Sequence, residues 1–249
     1  MPFSVILPTT RPDLLPRALH SIAAQSEQPG EVLVLHDGGP PLDLGGWPFP
    51  LRIYGIMPRL GPALARNVLA ATAREDRLAF LDDDDVWLPG HLERLSGGDA
   101  SDLAFTDAWL HHDEEGWSRL FAFRFTPDLL RRTNPIILST VGLSRAAFWR
   151  VGGFDASLAR YEAWDLFLRL QEAGSRLVRL AAPDVRYHYS RRSLTADDSA
   201  MAQAFSAFCR RHGLQLGRKS FVSMLDDPEL RDVRLEDAGA DTGGQEGAH

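Results

Sequence analysis

One cysteine, Cys209, stands in the 249-residue chain, so no disulfide can close within it. That excludes a disulfide-stapled scaffold and suits a reducing compartment. Cys209 reads as a half-buried thiol on a helix rather than as a nucleophile. Lysine is almost missing as well: Lys219 is alone among 27 basic residues. A cation that grips phosphate here is therefore expected to be arginine, with its planar fork of donors. No apolar run approaches the roughly 20 residues needed to cross a bilayer. No basic stretch leading into a long apolar one opens the chain. These two absences predict a cytoplasmic protein, with peripheral contact at a membrane surface left open. Positive charge is also in deficit. A net charge of −7 argues against a nucleic-acid partner.

What remains is an ordinary globular composition, 44% hydrophobic and 24% charged. The length fits one large α/β domain or two small ones. Phe3–Leu7 is a short β-rich run ended by Pro8 and Thr9. Arg11–Gln25 has helical spacing through Leu14, Leu15, Leu19 and Ile22. Pro29-Gly30 breaks the chain, Glu31–Leu35 is a second strand, and His36-Asp37-Gly38-Gly39 is a turn. Strand, helix, strand reads as a βαβ unit on a parallel sheet. Open sheets of this kind place ligands at their strand ends.

Further along, strands are predicted near Leu51–Tyr54 and Leu78–Leu81, and helices at Gly61–Arg74 and from Pro89 to Leu95. These elements complete a nucleotide-binding half over residues 1–98. Residues 99–225 read as a mixed second half of the same domain. Strands are expected at Leu103–Leu110, Trp117–Phe125, Ile136–Leu143 and Leu177–Leu180. Helices are expected at Pro127–Arg132, Arg145–Val151, Tyr161–Ala173 and Ala196–His212. From Asp226 the chain turns acidic and Gly-rich, and 226–249 is expected to be a disordered tail.

The chemistry is concentrated in Phe80-Leu81-Asp82-Asp83-Asp84-Asp85. Four adjacent carboxylates at the end of an apolar strand repel one another. Apolar segments on both sides, Leu78–Leu81 and Val86–Leu88, pin them in place. Bound Mn²⁺ or Mg²⁺ would relieve the repulsion, using one or two carboxylates and leaving positions for phosphate oxygens. Side chains two apart on an extended loop share a face, which pairs Asp82 with Asp84. A solvated acidic loop with Asp85 as a helix cap is the plainer alternative.

Phe80–Trp87 resembles the Asp-x-Asp segment of family 2 inverting glycosyltransferases with the GT-A fold. Four other segments resemble that family in the same order. Val5–Arg11 is similar to its opening strand and nucleotide loop, and Val32–Gly39 to its second strand and acidic turn. Gly61–Asn67 is similar to the helix start that carries an Arg-Asn pair. Val151–Leu170 is similar to the acceptor loop and the helix bearing the catalytic base. Together they span most of residues 3–195.

The resemblance implies an α/β GT-A fold: a Rossmann-like nucleotide-binding half fused to a mixed acceptor-binding half. It implies a hexosyltransferase-type enzyme. The sugar would pass from a nucleoside-diphosphate sugar to a saccharide or lipid-linked acceptor, in polysaccharide, glycolipid or other glycoconjugate synthesis. Pro8, Thr9, Arg11, Asp37, Arg66, Asp82 and Asp83 would line the donor site. Asp84 would hold the metal, joined by His188 from a late loop where Arg191 and Arg192 could clamp the diphosphate. Trp164 would offer a sugar platform.

The chain departs from the family at the base. The family helix opens Glu-Asp-x-Asp, whereas this chain has Glu162-Ala163-Trp164-Asp165, with Ala163 where the base is expected. Glu162 or Asp165 would substitute, or the base comes from elsewhere, or the protein binds a nucleotide sugar without turnover. The acidic turn holds His36-Asp37 in place of two aspartates, which puts base selectivity in doubt. A sugar nucleotidyltransferase is a weaker alternative, because Pro8-Thr9-Thr10-Arg11 lacks the glycines of its phosphate loop.

Overall fold

The computed structural model of the protein describes residues 1–97, 102–158, 160–189 and 198–236. Three strands open it: β1 (Phe3–Thr9), β2 (Glu31–Asp37) and β3 (Leu51–Ile56). They lie parallel, with helix α1 (Leu15–Ala23) crossing between the first two. Near-continuous apolar runs such as Val5-Ile6-Leu7 suit strands covered on both faces. All three residues are fully buried, each worth roughly 1.5–3 kcal/mol. Alternation sends Ile6 to one face, against Phe80, Leu69 and Phe148, and Val5 and Leu7 to the other, against Leu15, Leu19 and Ile22.

Helix α2 (Pro62–Thr72) leads to β4 (Arg77–Phe80), parallel to β1 on its other side. Then come β5 (Val86–Trp87), α3 (His91–Gly97), β6 (Leu103–His112), β7 (Ser118–Phe121) and α4 (Pro127–Arg132). The rest comprises β8 (Val141–Ser144), α5 (Arg145–Arg150), α6 (Glu162–Glu172), β9 (Leu177–Tyr189), α7 (Asp198–His212) and α8 (Phe221–Leu225). All nine strands form one sheet in the order β3-β2-β1-β4-β8-β6-β9-β5, with β7 on β6. Because β8 runs antiparallel to both β4 and β6, the strands β1, β2, β4, β6 and β9 all point to one edge. Thr9, Asp37 and the aspartates after Phe80 gather there.

Four predicted elements differ from those found. The expected strand Leu177–Leu180 runs on to Tyr189. Pro183 suggests a break, but it sits opposite Asp107 where the β6–β9 register shifts, and an irregularity is where a sheet accepts proline. The expected strand Ile136–Leu143 is instead a 3₁₀ turn, Leu138–Thr140, followed by β8. The turn aims Ser139 at the aspartates. The predicted Trp117–Phe125 strand stops at Phe121, because Phe123 bridges to Arg234 rather than to β6. That bridge also orders residues 226–236, which were expected within a disordered tail. Leu230 is buried, and Asp226 takes a bidentate pair from Arg119 at 2.6 and 2.9 Å. The expectation for 237–249 falls outside the described residues.

Candidate functional site

A cleft of about 440 Å³ opens at the carboxyl ends of β1, β2 and β4. Pro8, Thr9, Arg11, Asp37, Arg66 and Asp82–Asp84 line it, together with Arg160, Glu162 and Tyr187. The donor-site residues read from the sequence are therefore brought together. An adjoining cavity of about 240 Å³ shares Arg66, Asp82, Arg160, Glu162 and Tyr187 with it.

The four aspartates have four different environments. The loop turns tightly, with Asp85 N–H donating to Asp82 C=O at 3.1 Å. Asp83 is buried and accepts from Thr9 Oγ1 at 2.6 Å and Arg11 Nη2 at 2.5 Å. Burial raises its pKa against the pull of those partners. Asp84 is partly exposed and accepts from Arg11 Nη2 at 2.7 Å, while Arg17 holds its backbone carbonyl. Burial alone would lower the Arg11 pKa, but the hydrogen bond to Asp84 and the Asp83 charge raise it overall. Asp85 is fully buried and accepts from Ser139 Oγ at 2.5 Å and His188 N–H at 3.0 Å. Burial, then the charges of Asp84 and Asp82, hold its carboxyl well above the ordinary range. Asp85 is a bracket beneath the loop, not a helix cap.

Asp82 and Asp84 remain as the aspartates whose carboxylates reach the cleft with solvent access, at 33% and 26% side-chain exposure. Two adjacent carboxylates with open lone pairs, beside a third that their charges perturb, fit a hard divalent ion. The donor set is all oxygen, which suits Mg²⁺ or Mn²⁺.

Arg66 ties the two halves together. It is 6% exposed, donating from Nη2 to Asp82 Oδ1 at 2.5 Å and from Nη1 to Glu162 Oε1 at 3.1 Å. It pairs with neither Glu75 nor Asp76. Burial works against its charge, and the two carboxylates raise its pKa regardless. Glu162 is 7% exposed, and its Oε2 is buried with no partner. Asn67, next along α2, clamps the loop after α5 through Nδ2 to Phe154 C=O at 2.8 Å and Oδ1 from Phe154 N–H at 2.9 Å. Gly153 permits this approach: its φ is 71°, and a Cβ there would sit 2.7 Å from Asn67 Oδ1. Asp37 accepts from Leu60 N–H at 2.6 Å and Gly61 N–H at 2.9 Å, which fixes the chain entering α2.

Three expected residues are not in the cleft. Asp165 is fully buried on α6, accepting from Arg169 Nε at 2.8 Å and contacting His212 Nε2 at 2.9 Å and Arg211 Nε at 3.1 Å. Three positions along a helix turn a side chain by about 300°, so Asp165 is offset from Glu162 by only about 60°, and it is the docking of Arg211 and His212 that takes it out of the cleft. His188 does not join Asp84. Its neighbour Tyr187 faces the cleft, and alternation turns the imidazole away to Asp113, with Nδ1 and Oδ1 2.5 Å apart. Trp164 is 6% exposed and stacks in the core, its Nε1–H given to Leu130 C=O at 2.8 Å, and it lines the adjoining cavity rather than the cleft. Arg191 and Arg192 lie outside the described residues. Cys209 is buried on α7, in keeping with the bland reading.

Sequence reasoning missed three residues. Ser139 joins the Asp82 N–H (3.2 Å) to the Asp85 carboxylate, and its C=O accepts from Trp87 Nε1 at 2.7 Å. Nothing in Ile137-Leu138-Ser139-Thr140 announces this role. Tyr187 would have been found as the alternation partner of His188 had the strand been carried through Pro183. Arg160 lines both cavities with a buried, unpartnered Nη1, on a backbone with φ 79°, rare for a side-chain-bearing residue.

Comparison with known proteins bears on this arrangement. Residues 4–98 match the family model described as Glycosyl transferase family 2. An uncharacterized glycosyltransferase of Bacillus subtilis, YwdF, is 27% identical over 247 residues, covering 93% of this chain and 92% of its own. An uncharacterized glycosyltransferase of Haemophilus influenzae is 24% identical over 225 residues, covering 84% and 76%. The crystal structure of S. aureus TarS 1–349 in complex with UDP-GlcNAc is similar with a TM-score of 0.59 at 19% identity, over 78% of this chain. The chain spans 59% of that structure's length. At this identity the likeness speaks for the fold.

Proposed function

We propose that the chain, a glycosyltransferase whose residues 4–98 match glycosyltransferase family 2 and whose fold is GT-A, carries out a metal-assisted, inverting sugar transfer with Glu162 as the base. The donor is a nucleoside-diphosphate sugar. The carrying observation is the bridge from Arg66 to Asp82 on one side and Glu162 on the other. One guanidinium sets the donor carboxylate and the free Glu162 Oε2 in the same cleft.

In this reading the base and ribose lie across Thr9, Asp37 and Asp82. Both Asp37 oxygens already accept a backbone N–H, but each retains a lone pair for the ligand. Mn²⁺ or Mg²⁺ held by Asp84 would supply positive charge to the two phosphates and to the leaving nucleoside diphosphate. Arg11 and Arg160 lie beside the same position and add two guanidinium forks. Glu162 Oε2 takes the proton from the acceptor hydroxyl as that oxygen attacks the anomeric carbon. The bond to the diphosphate oxygen breaks on the opposite face, which inverts the centre. Arg66 keeps the base oriented through its other oxygen.

The TarS complex with UDP-GlcNAc supports a uridine diphosphate sugar as the first donor to test. The adjoining cavity supports a saccharide or lipid-linked acceptor: Ile136, Phe221 and Met224 form apolar wall beside Arg132 and Lys219. Among the described residues no helix is long and apolar enough to cross a membrane. A cytoplasmic enzyme that meets a lipid-linked acceptor at the membrane surface accords with this reading.

The test is a thermal-shift titration with UDP and UDP-GlcNAc, with and without Mn²⁺, followed by transfer assays on Glu162→Gln. Metal-dependent stabilisation is expected with wild type and variant alike. Transfer should fall about 10²–10⁴-fold in the variant, the usual share of a general base. Transfer at the full wild-type rate removes Glu162 from the role. Ala163 motivates one other reading, a nucleotide-sugar binder without turnover. Binding with no transfer over a broad acceptor panel would favour it.

A further inference from the structure

We propose that His111, Asp113 and His188 form a second metal site, separate from Asp84 and suited to Zn²⁺. The three donors come from the carboxyl ends of β6 and β9, two neighbouring parallel strands, and from the turn after β6. His111 and His188 are direct register partners, with ring centroids 5.0 Å apart. Asp113 N–H donates to Tyr189 C=O at 3.3 Å, which fastens the turn beside β9. One ligand atom from each residue lies within 4.8 Å of the other two.

The individual separations bracket what zinc needs. Asp113 Oδ1 is 2.5 Å from His188 Nδ1 and 3.8 Å from His111 Nε2. A tetrahedral ion with bonds near 2.05 Å spaces its donors by roughly 3.3 Å. The Asp113 carboxylate, 41% exposed on a turn, has room to adjust both of its distances toward that spacing. The same exposure leaves the fourth position to water.

The surroundings also suit a ligand set. Ser118 Oγ lies 2.8 Å from His111 Nδ1, so a hydrogen bond there fixes the ring and leaves Nε2 for the ion. The His188 side chain is 9% exposed, and among the described residues Asp113 is its one polar side-chain partner. With Nδ1 on the ion, its proton stays on Nε2. His112 points elsewhere, to Glu114 and Glu115, and does not compete. Two imidazoles and one carboxylate favour zinc, whereas the oxygen-only pair Asp82 and Asp84 favours Mg²⁺ or Mn²⁺. Only backbone joins the two centres: His188 N–H donates to Asp85, while its side chain faces away from the cleft.

The test needs neither nucleotide nor turnover. Tag-free full chain is stripped of metal and titrated with Zn²⁺ by calorimetry, and Co²⁺ loading is followed in the visible spectrum. One equivalent of zinc is expected, with a cobalt spectrum of tetrahedral nitrogen and oxygen ligation. His111→Ala should weaken binding by more than about 100-fold, and Ser118→Ala by about 10-fold, the range for a residue that only orients a ligand. Asp84→Ala should leave zinc affinity unchanged. Zinc binding that is absent, or equal in wild type and His111→Ala, overturns the proposal. Loss of the site in Asp84→Ala overturns it too. If His111→Ala misfolds by circular dichroism, Ser118→Ala decides, and unchanged affinity there counts against the site. Because the readout is zinc alone, failure of the transferase reading leaves this result standing, and the reverse.

Discussion

Replacing Arg66 with methionine isolates the central ion network. The two side chains are similar in length, so packing near the Phe154 ring, 5.7 Å from the guanidinium, is largely kept. What is lost is the charge between Asp82 and Glu162. Glu162 is 9% exposed at its side chain and would be left buried without a counter-charge, whereas Asp82 is 33% exposed and water can screen it. Breaking a buried pair by removing one partner costs about 3–5 kcal/mol. With Asp82 discounted, Arg66→Met should cost about 3 kcal/mol. For a domain of this size that lowers the melting temperature by roughly 6–12 °C. Urea unfolding followed by fluorescence and circular dichroism gives the number, with the slope expected to hold. Adding Glu162→Gln to Arg66→Met should recover about 1–3 kcal/mol, because the unpaired charge is then gone. A single variant within about 0.5 kcal/mol of wild type, or two strictly additive effects, would refute the bridge.

Asp84→Ala should keep the fold and abolish the Mn²⁺-dependent part of nucleoside-diphosphate stabilisation, read by thermal shift, since among the described residues its side chain pairs only with Arg11. Ser139→Ala removes the hydroxyl between Asp82 and Asp85 and should cost about 1–3 kcal/mol in urea unfolding. It should also weaken donor binding, and unchanged donor affinity would show that the bracket is not needed. Burial lowers the His91 pKa from 6.5 to about 3. A base depressed in this way contributes stability that is whole above pH 6.5 and drains as pH falls toward 3. The slope is up to about 1.4 kcal/mol per pH unit. His91→Gln should flatten that slope between about pH 6.5 and 4, and an unaltered slope would mean the imidazole is not the group responsible.

Much of the donor half was legible because its signals are local. Apolar runs ended by Pro8, by Gly38-Gly39 and by the aspartates announce parallel strands with polar ends, and the structure sets those ends on one edge. Glu162 and Asp165 were inseparable in the sequence: three positions apart on a helix, either could face a cleft. Only the docking of α7, with Arg211 and His212 over Asp165, decides between them. His188 failed to join Asp84 because its segment reads as a loop, whereas strand pairing across the Pro183 irregularity gives it a fixed face. Ser139 and Arg160 carry no local signal. The role of Ser139 arises from partners tens of residues away, and that of Arg160 from the cavities it lines.

The Asp85 bracket has a consequence for biogenesis. Its two partners arrive late, Ser139 from 54 positions downstream and His188 from 103. During synthesis the first hundred residues can build their parallel strands, yet the acidic loop at their edge would stay splayed until those later segments dock. Such distant pairings are slow to form. Metal-dependent nucleotide affinity would then appear only once the whole chain has closed, and an interrupted chain would carry a donor half that cannot sequester sugar nucleotide. Competence for ligand doubles as a checkpoint for completion.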